Sequence, residues 1–194
     1  MYDLGGSGPN MLLSHANGFH GLCWKPVAEH LIKHFHCHSF DHRGHGDTPA
    51  PKDWTVAWAG YAADASAAAK SIAEPKGIIG VGHSMGGATL LMAAIKDPTL
   101  FRGLLLYEPI VKPDDVRMPA NRPNALAEGA ARRKKTFKSY EEAITNYSNK
   151  MPMTHFTPEA LDAYVRGGFR KGEDGLVHLK CEPELESANF RNPE

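Results

Sequence analysis

The sequence predicts an α/β fold, a mostly parallel sheet flanked by helices, with a helical region after it. Three observations carry this expectation. Short apolar segments at residues 11–14, 35–40, 76–81 and 103–108 alternate with segments of helical character at 24–34, 54–73 and 87–96, the order that builds βαβ units around a parallel sheet. Gly82-His83-Ser84-Met85-Gly86 lies between a β-branched run and a run of helix formers, so a tight strand-to-helix turn is expected with the serine at its tip. From Pro113 the texture changes, first to a stretch marked by Pro113, Pro119 and Pro123 and then to polar helical patterns. The expected division is a core over residues 1–112 and a helical cap region over 113–194.

A chain of 194 residues can bury a proper core and carry a small appendage. Its 42% hydrophobic and 23% charged content is that of a globular protein. Lys+Arg and Asp+Glu both total 22, so no net charge draws the chain to nucleic acid or to an anionic membrane surface. No apolar run approaches the roughly 20 residues that cross a bilayer. The N-terminus lacks the basic and apolar regions of a signal peptide, and the 3 cysteines (Cys23, Cys37, Cys181) have no C-x-x-C spacing. The expected setting is cytoplasmic, with reduced thiols.

Taken in order, residues 5–9 read as a turn and 11–14 as a buried strand ending in His15-Ala16-Asn17-Gly18-Phe19-His20-Gly21. Read by itself this loop is an ordinary strand-to-helix turn. Trp24, Val27, Ala28, Leu31 and Ile32 have helical spacing, with Pro26 tolerated in the first turn. The strand at 35–40 leads into Asp41-His42-Arg43-Gly44-His45-Gly46-Asp47-Thr48, where Gly44 and Gly46 permit positive φ. Six histidines fall between His30 and His45, but the helix pair His30/His34 and the strand pair His36/His38 have no recognised ligand spacing; neither a metal nor a cofactor is expected.

Trp58, Tyr61, Ala62, Ala65 and Ala69 mark the narrow packing face of a long helix. Leu104, Leu105 and Leu106 lack polar alternation and predict an interior strand, buried on both faces. Arg132-Arg133-Lys134-Lys135 reads as a solvated helix face. Ser139-Tyr140-Glu141-Glu142 is a capping box, Thr157-Pro158-Glu159 opens another helix that Gly167-Gly168 stops, and residues 176–179 form a short extended piece.

The serine turn has a physical logic. Ser84 must adopt a strained backbone, and the chain passes so close that a Cβ at position 82 or 86 would clash. The N–H of Met85 is left at a helix N-terminus, where it can bind a developing oxyanion. Together with His15-Ala16-Asn17-Gly18-Phe19, Asp41-His42-Arg43-Gly44-His45-Gly46-Asp47-Thr48 and Leu106-Tyr107-Glu108-Pro109, this motif makes the chain resemble the α/β-hydrolase superfamily, in its capped esterase- and lipase-like branch, over residues 4–112.

The resemblance implies acyl transfer to water: a serine hydrolase, most simply a carboxylesterase, acting on a small ester-like molecule. Ser84 would be the nucleophile, and the N–H groups of Met85 and Asn17 the oxyanion hole, Asn17 being chosen by position with Gly18 and Phe19 as the alternatives. The resemblance also implies an acid and then a histidine on later strands, which this sequence does not reach by residue 194; the strands before Met11 are expected to be short or missing. Ala16 stands where the superfamily usually has glycine. Glu108, at a strand end, is a candidate acid, or simply ties the cap to the core. His83 adjoins Ser84 but is expected to point away, and His155 and His178 lie in the cap region. The alternative is a non-catalytic relative that binds a small hydrophobic ligand or a partner. The outer edge of the 103–108 strand is expected to be open, favouring self-association.

Overall fold

The computed structural model describes residues 1–111 and 124–191, so the prolines at 113, 119 and 123 lie outside the described residues. A five-stranded sheet is built from β1 (Tyr2–Gly5), β2 (Asn10–Ser14), β3 (His36–Phe40), β4 (Ile78–His83) and β5 (Phe101–Tyr107), in the order β1-β3-β2-β4-β5. Strands β3, β2, β4 and β5 run parallel, with Leu13 opposite Ser39 on one side and Val81 on the other. Strand β1 joins antiparallel to β3. The strand before Met11 is present but short, within the expectation of short or missing strands there: Tyr2 and Asp3 pair with Ser39 and His38, and the two glycines after Leu4 supply the positive φ that turns the chain into β2.

Helices α1 (Lys25–Leu31), α2 (Trp58–Ser71) and α3 (Met85–Lys96) cross between the strands. Alternation along β2 sends Leu12 to one face and Met11 and Leu13 to the other. On the first face Leu12, Phe40 and Ile78 pack against Ala65, Ala69 and Leu90 of α2 and α3. On the second, Met11, Leu13 and Cys37 pack against Ala28 of α1. The alanine stripe on α2 lets that helix lie close to the sheet. All three cysteines are free.

Strand β5 departs from expectation. Its outer edge has no partner among the described residues, as anticipated, but the strand is not buried on both faces: Leu105 is 61% and Tyr107 60% exposed. The reason is coverage. Helix α3 packs over one face of β4 and β5, whereas α1 reaches only the β2–β3 side of the other. What remains is an apolar groove of about 620 Å³ whose lining includes Val27, Ile79, Val81, His83, Leu105 and Tyr107.

Residues 124–191 are not purely helical. Helices α4 (Ala125–Ala131), α5 (Tyr140–Ser148), α6 (Pro158–Gly168) and α7 (Pro183–Arg191) accompany a small antiparallel sheet of β6 (Thr136–Phe137), β7 (Phe169–Lys171) and β8 (Val177–Leu179), in the order β6-β8-β7. Ser139 and Thr157 cap α5 and α6 through N–H groups three residues on, as their sequences announce. Phe137, Tyr147, Leu161, Tyr164, Phe169 and Val177 form a second core, and Phe19 packs onto it from the first. No helix among the described residues is long and apolar enough to cross a membrane.

Candidate active site

The turn between β4 and α3 places Ser84 at φ 53°, ψ −117°, a conformation few L-residues adopt. Three backbone bonds hold it there: the Ser84 N–H donates to the Tyr107 carbonyl (3.0 Å), and its own carbonyl accepts from the N–H groups of Ala88 (3.1 Å) and Ile110 (3.4 Å). A Cβ on Gly82 would lie 2.6 Å from Gly87 Cα; one on Gly86 would lie 2.6 Å from the His15 carbonyl oxygen and collide with that of Ser14. Glycine is thus demanded where β4 turns into α3 and where α3 touches the end of β2. Met85, almost wholly buried, is the first helical residue, so its N–H has no partner in the turn before it.

The contact of Gly86 with Ser14 and His15 sets the loop after β2 beside this turn. Residues 16–19 form a tight turn closed by the Phe19 N–H on the Ala16 carbonyl (3.1 Å), with Gly18 at φ 76°. No group among the described residues accepts the Asn17 N–H. The side chain of Asn17 is engaged on its far side. Its Nδ2 donates to the Glu186 carbonyl (2.9 Å), and its Oδ1 accepts from Asn189 Nδ2 (2.8 Å). Asn189 Oδ1 in turn accepts from the Tyr61 hydroxyl (2.9 Å). The last helix therefore clamps the loop.

Beneath the loop lie three fully buried histidines. His15 Nε2 accepts from the His42 N–H (3.0 Å), so its proton sits on Nδ1, 2.8 Å from the Ala16 carbonyl. His42 Nε2 lies 2.9 Å from Ser14 Oγ, and His45 Nδ1 lies 3.1 Å from the Arg43 carbonyl. Burial drives all three toward the neutral form: His45 is pushed down to about 4, and His15 and His42 fall well below the ordinary range. Asp41 organises the same region, its carboxylate accepting from the Tyr2 hydroxyl (2.6 Å) and from the N–H groups of Gly21 and Asp47 (2.7 Å each). Burial alone would raise its pKa; those donors outweigh it and hold the carboxyl below the usual range. Arg43 grips Asp64 of α2 (2.6 Å) and lies over Trp54.

None of these histidines hydrogen-bonds the Ser84 hydroxyl, nor does any other side chain among the described residues. The His83 ring meets Tyr107 (5.2 Å) and Phe19 (6.3 Å). Burial lowers its pKa, partly offset by the charge of Glu108. Glu108 is exposed, at φ 44° just past the end of β5, and has no histidine bonded to it among the described residues. His155 ends a short 3-10 turn, and His178, on β8, pairs with Asp174 (3.0 Å).

One feature escapes the sequence altogether. Arg133 is not on a solvated helix face: α4 ends at Ala131, and the turn that follows carries Arg133 inward to pair with Glu186 and to hydrogen-bond Tyr147 and Tyr164. The Glu186 carboxylate lies against Gly18, where any added Cβ would strike it. Its neighbours Arg132, Lys134 and Lys135 stay at the surface, as the basic run predicts.

Comparison with known proteins bears on the family and the fold. The family model described as "Alpha/beta hydrolase family" matches residues 11–182. Protein phosphatase methylesterase 1 of Bos taurus is 31% identical over 150 residues, 74% of this chain and 38% of the relative. Pimeloyl-[acyl-carrier protein] methyl ester esterase of Aeromonas salmonicida is 28% identical over 102 residues, 52% of this chain and 37% of the relative. The chain thus spans under two fifths of the length of both curated relatives. Among solved structures, E-2-(acetamidomethylene)succinate hydrolase superposes with a TM-score of 0.74 at 21% identity, covering 97% of this chain and 68% of that one.

Proposed function

Because the chain belongs to the alpha/beta hydrolase family, we propose that it carries the nucleophile half of a serine carboxylesterase active site, with Ser84 as the attacking group. The observation that carries this reading is the backbone of Ser84, held at φ 53° between β4 and α3 by glycines that tolerate no side chain. In this reading Ser84 Oγ adds to an ester carbonyl, and the oxygen that becomes negative is received by the N–H groups of Met85 and Asn17. The tetrahedral species expels the alcohol and leaves an acyl-Ser84, which water then hydrolyses to the carboxylic acid and free serine. A histidine must take the Ser84 proton and return it to the leaving alcohol.

Two relatives bear names that specify methyl esters, which supports an ester with a small alcohol as the substrate class. The acyl part would lie against Phe19 and Phe156, half-buried rings that pack together over Tyr164. The test is labelling with a fluorophosphonate together with hydrolysis of p-nitrophenyl acetate. The expected result is modification at Ser84, with turnover lost at least ~1,000-fold in Ser84→Ala while the fold is kept. Wild-type turnover by the alanine variant would exclude Ser84.

A second reading, a non-catalytic relative that binds a small hydrophobic ligand, is favoured by one observation: no described residue hydrogen-bonds the Ser84 hydroxyl. Absence of fluorophosphonate labelling in folded protein would support it.

A further inference from the structure

We infer that Asp3, His36 and His38 form a binding site for a borderline divalent cation, Zn²⁺ in the first instance, at the β1–β3 edge of the sheet. One ligand atom from each of the three residues lies within 4.8 Å of the others. Strand geometry brings them together. His36 and His38 are two apart on β3 and share a face, and Asp3 is the register partner of His38 on the antiparallel strand β1. The pairing shifts register between Asp3 and Gly5, an irregularity of the kind that re-aims a side chain. The His36 and His38 rings are 4.1 Å apart, and His36 Nε2 lies 2.9 Å from Asp3 Oδ1.

The donors suit the cation. Two imidazoles and one carboxylate are a nitrogen and oxygen set that Zn²⁺, Ni²⁺ and Cu²⁺ favour over Mg²⁺ or Ca²⁺. A shell behind them fixes their orientation: the Gly5 N–H donates to Asp3 Oδ1 (2.9 Å), and Asn10 Oδ1 lies 3.2 Å from His38 Nε2. Asp3 is largely exposed, which gives a cation a way in. The position also defines what the site does. His36 begins β3, pairing with the first residue of β2, whereas Ser84 follows the last residue of β4. A cation here would staple the short first strand to the sheet at the end remote from the serine.

Isothermal titration of the purified 194-residue chain with ZnCl₂ at pH 7.5 tests this, with thermal unfolding as a second readout. One equivalent should bind and raise the melting temperature. Asp3→Asn and His36→Gln, on different strands and both solvent-accessible, should each weaken that binding ~10-fold or more and remove the thermal shift. His178→Gln should leave both unchanged, since the Asp174–His178 pair is the other exposed histidine–carboxylate contact on the surface described. Binding unaffected by Asp3→Asn and His36→Gln, or abolished by His178→Gln, would overturn the assignment, as would no binding at all. If either variant fails to fold, the comparison rests on the other.

Discussion

At the scale of single residues, the serine turn is a set of clearances measured in tenths of an ångström. Gly86 has the carbonyl oxygens of Ser14 and His15 where a side chain would begin. Gly86→Val should therefore cost about 3 kcal/mol, because the groups it meets are backbone and cannot swing aside. Soluble protein with an unchanged melting temperature would show that α3 does not abut β2. The turn around Ser84 was legible because its sequence signature lies within five residues, although the groups that hold it, Tyr107, Ser14 and His15, are distant. Asn17 could be nominated only by its place after a strand. The partners of its side chain, Glu186 and Asn189, are 169 and 172 positions away, and nothing local marks them.

At the scale of elements, α7 has the largest effect for its length. Its sequence carries acids and no strand pattern, yet its nine residues place Asn189 between Asn17 and Tyr61 and Glu186 beside Arg133. Asn189→Ala strips a partner from two buried polar groups at once, so a loss of about 2 kcal/mol is expected, read as a lower urea midpoint at unchanged m-value. No change would mean the clamp is not formed in solution. The parallel strands and α1 to α3 were legible because each follows a local period. The small sheet β6-β8-β7 was not: two- and three-residue strands are too short for a period to register. Arg133 was misread for a related reason, since a run of four basic residues says nothing of the turn that takes one of them inside.

At the scale of the whole molecule, the buried histidines set a pH limit on stability. His45 is neutral in the fold with a pKa near 4, whereas the unfolded chain protonates it at about 6.5. The unfolded state therefore binds more protons between those values, and stability falls as pH drops from about 6.5 toward 4. This single group is worth about 3 kcal/mol across that window; His15 and His42 act in the same direction. Urea midpoints should be flat above pH 7 and decline steadily to pH 5, and a flat profile throughout would contradict the burial of this trio. The open side of the sheet sets a second limit. Leu105 and Tyr107 stand exposed on a strand with no outer neighbour among the described residues, so the 194-residue chain should self-associate at micromolar concentration. Leu105→Lys should shift it toward monomer in light scattering; a wild-type chain that is monomeric already would sink this expectation.

The clamp on Asn17 also imposes an order in time. Every strand of the large sheet is available once residue 107 has been synthesised, and β4 can then turn into α3 with its serine raised. The loop that faces that serine cannot be fixed until residues 186–189 have emerged and docked. During synthesis there is thus an interval in which the nascent chain has a formed elbow beside a loop that is still slack, and that loop should become ordered only when α7 docks.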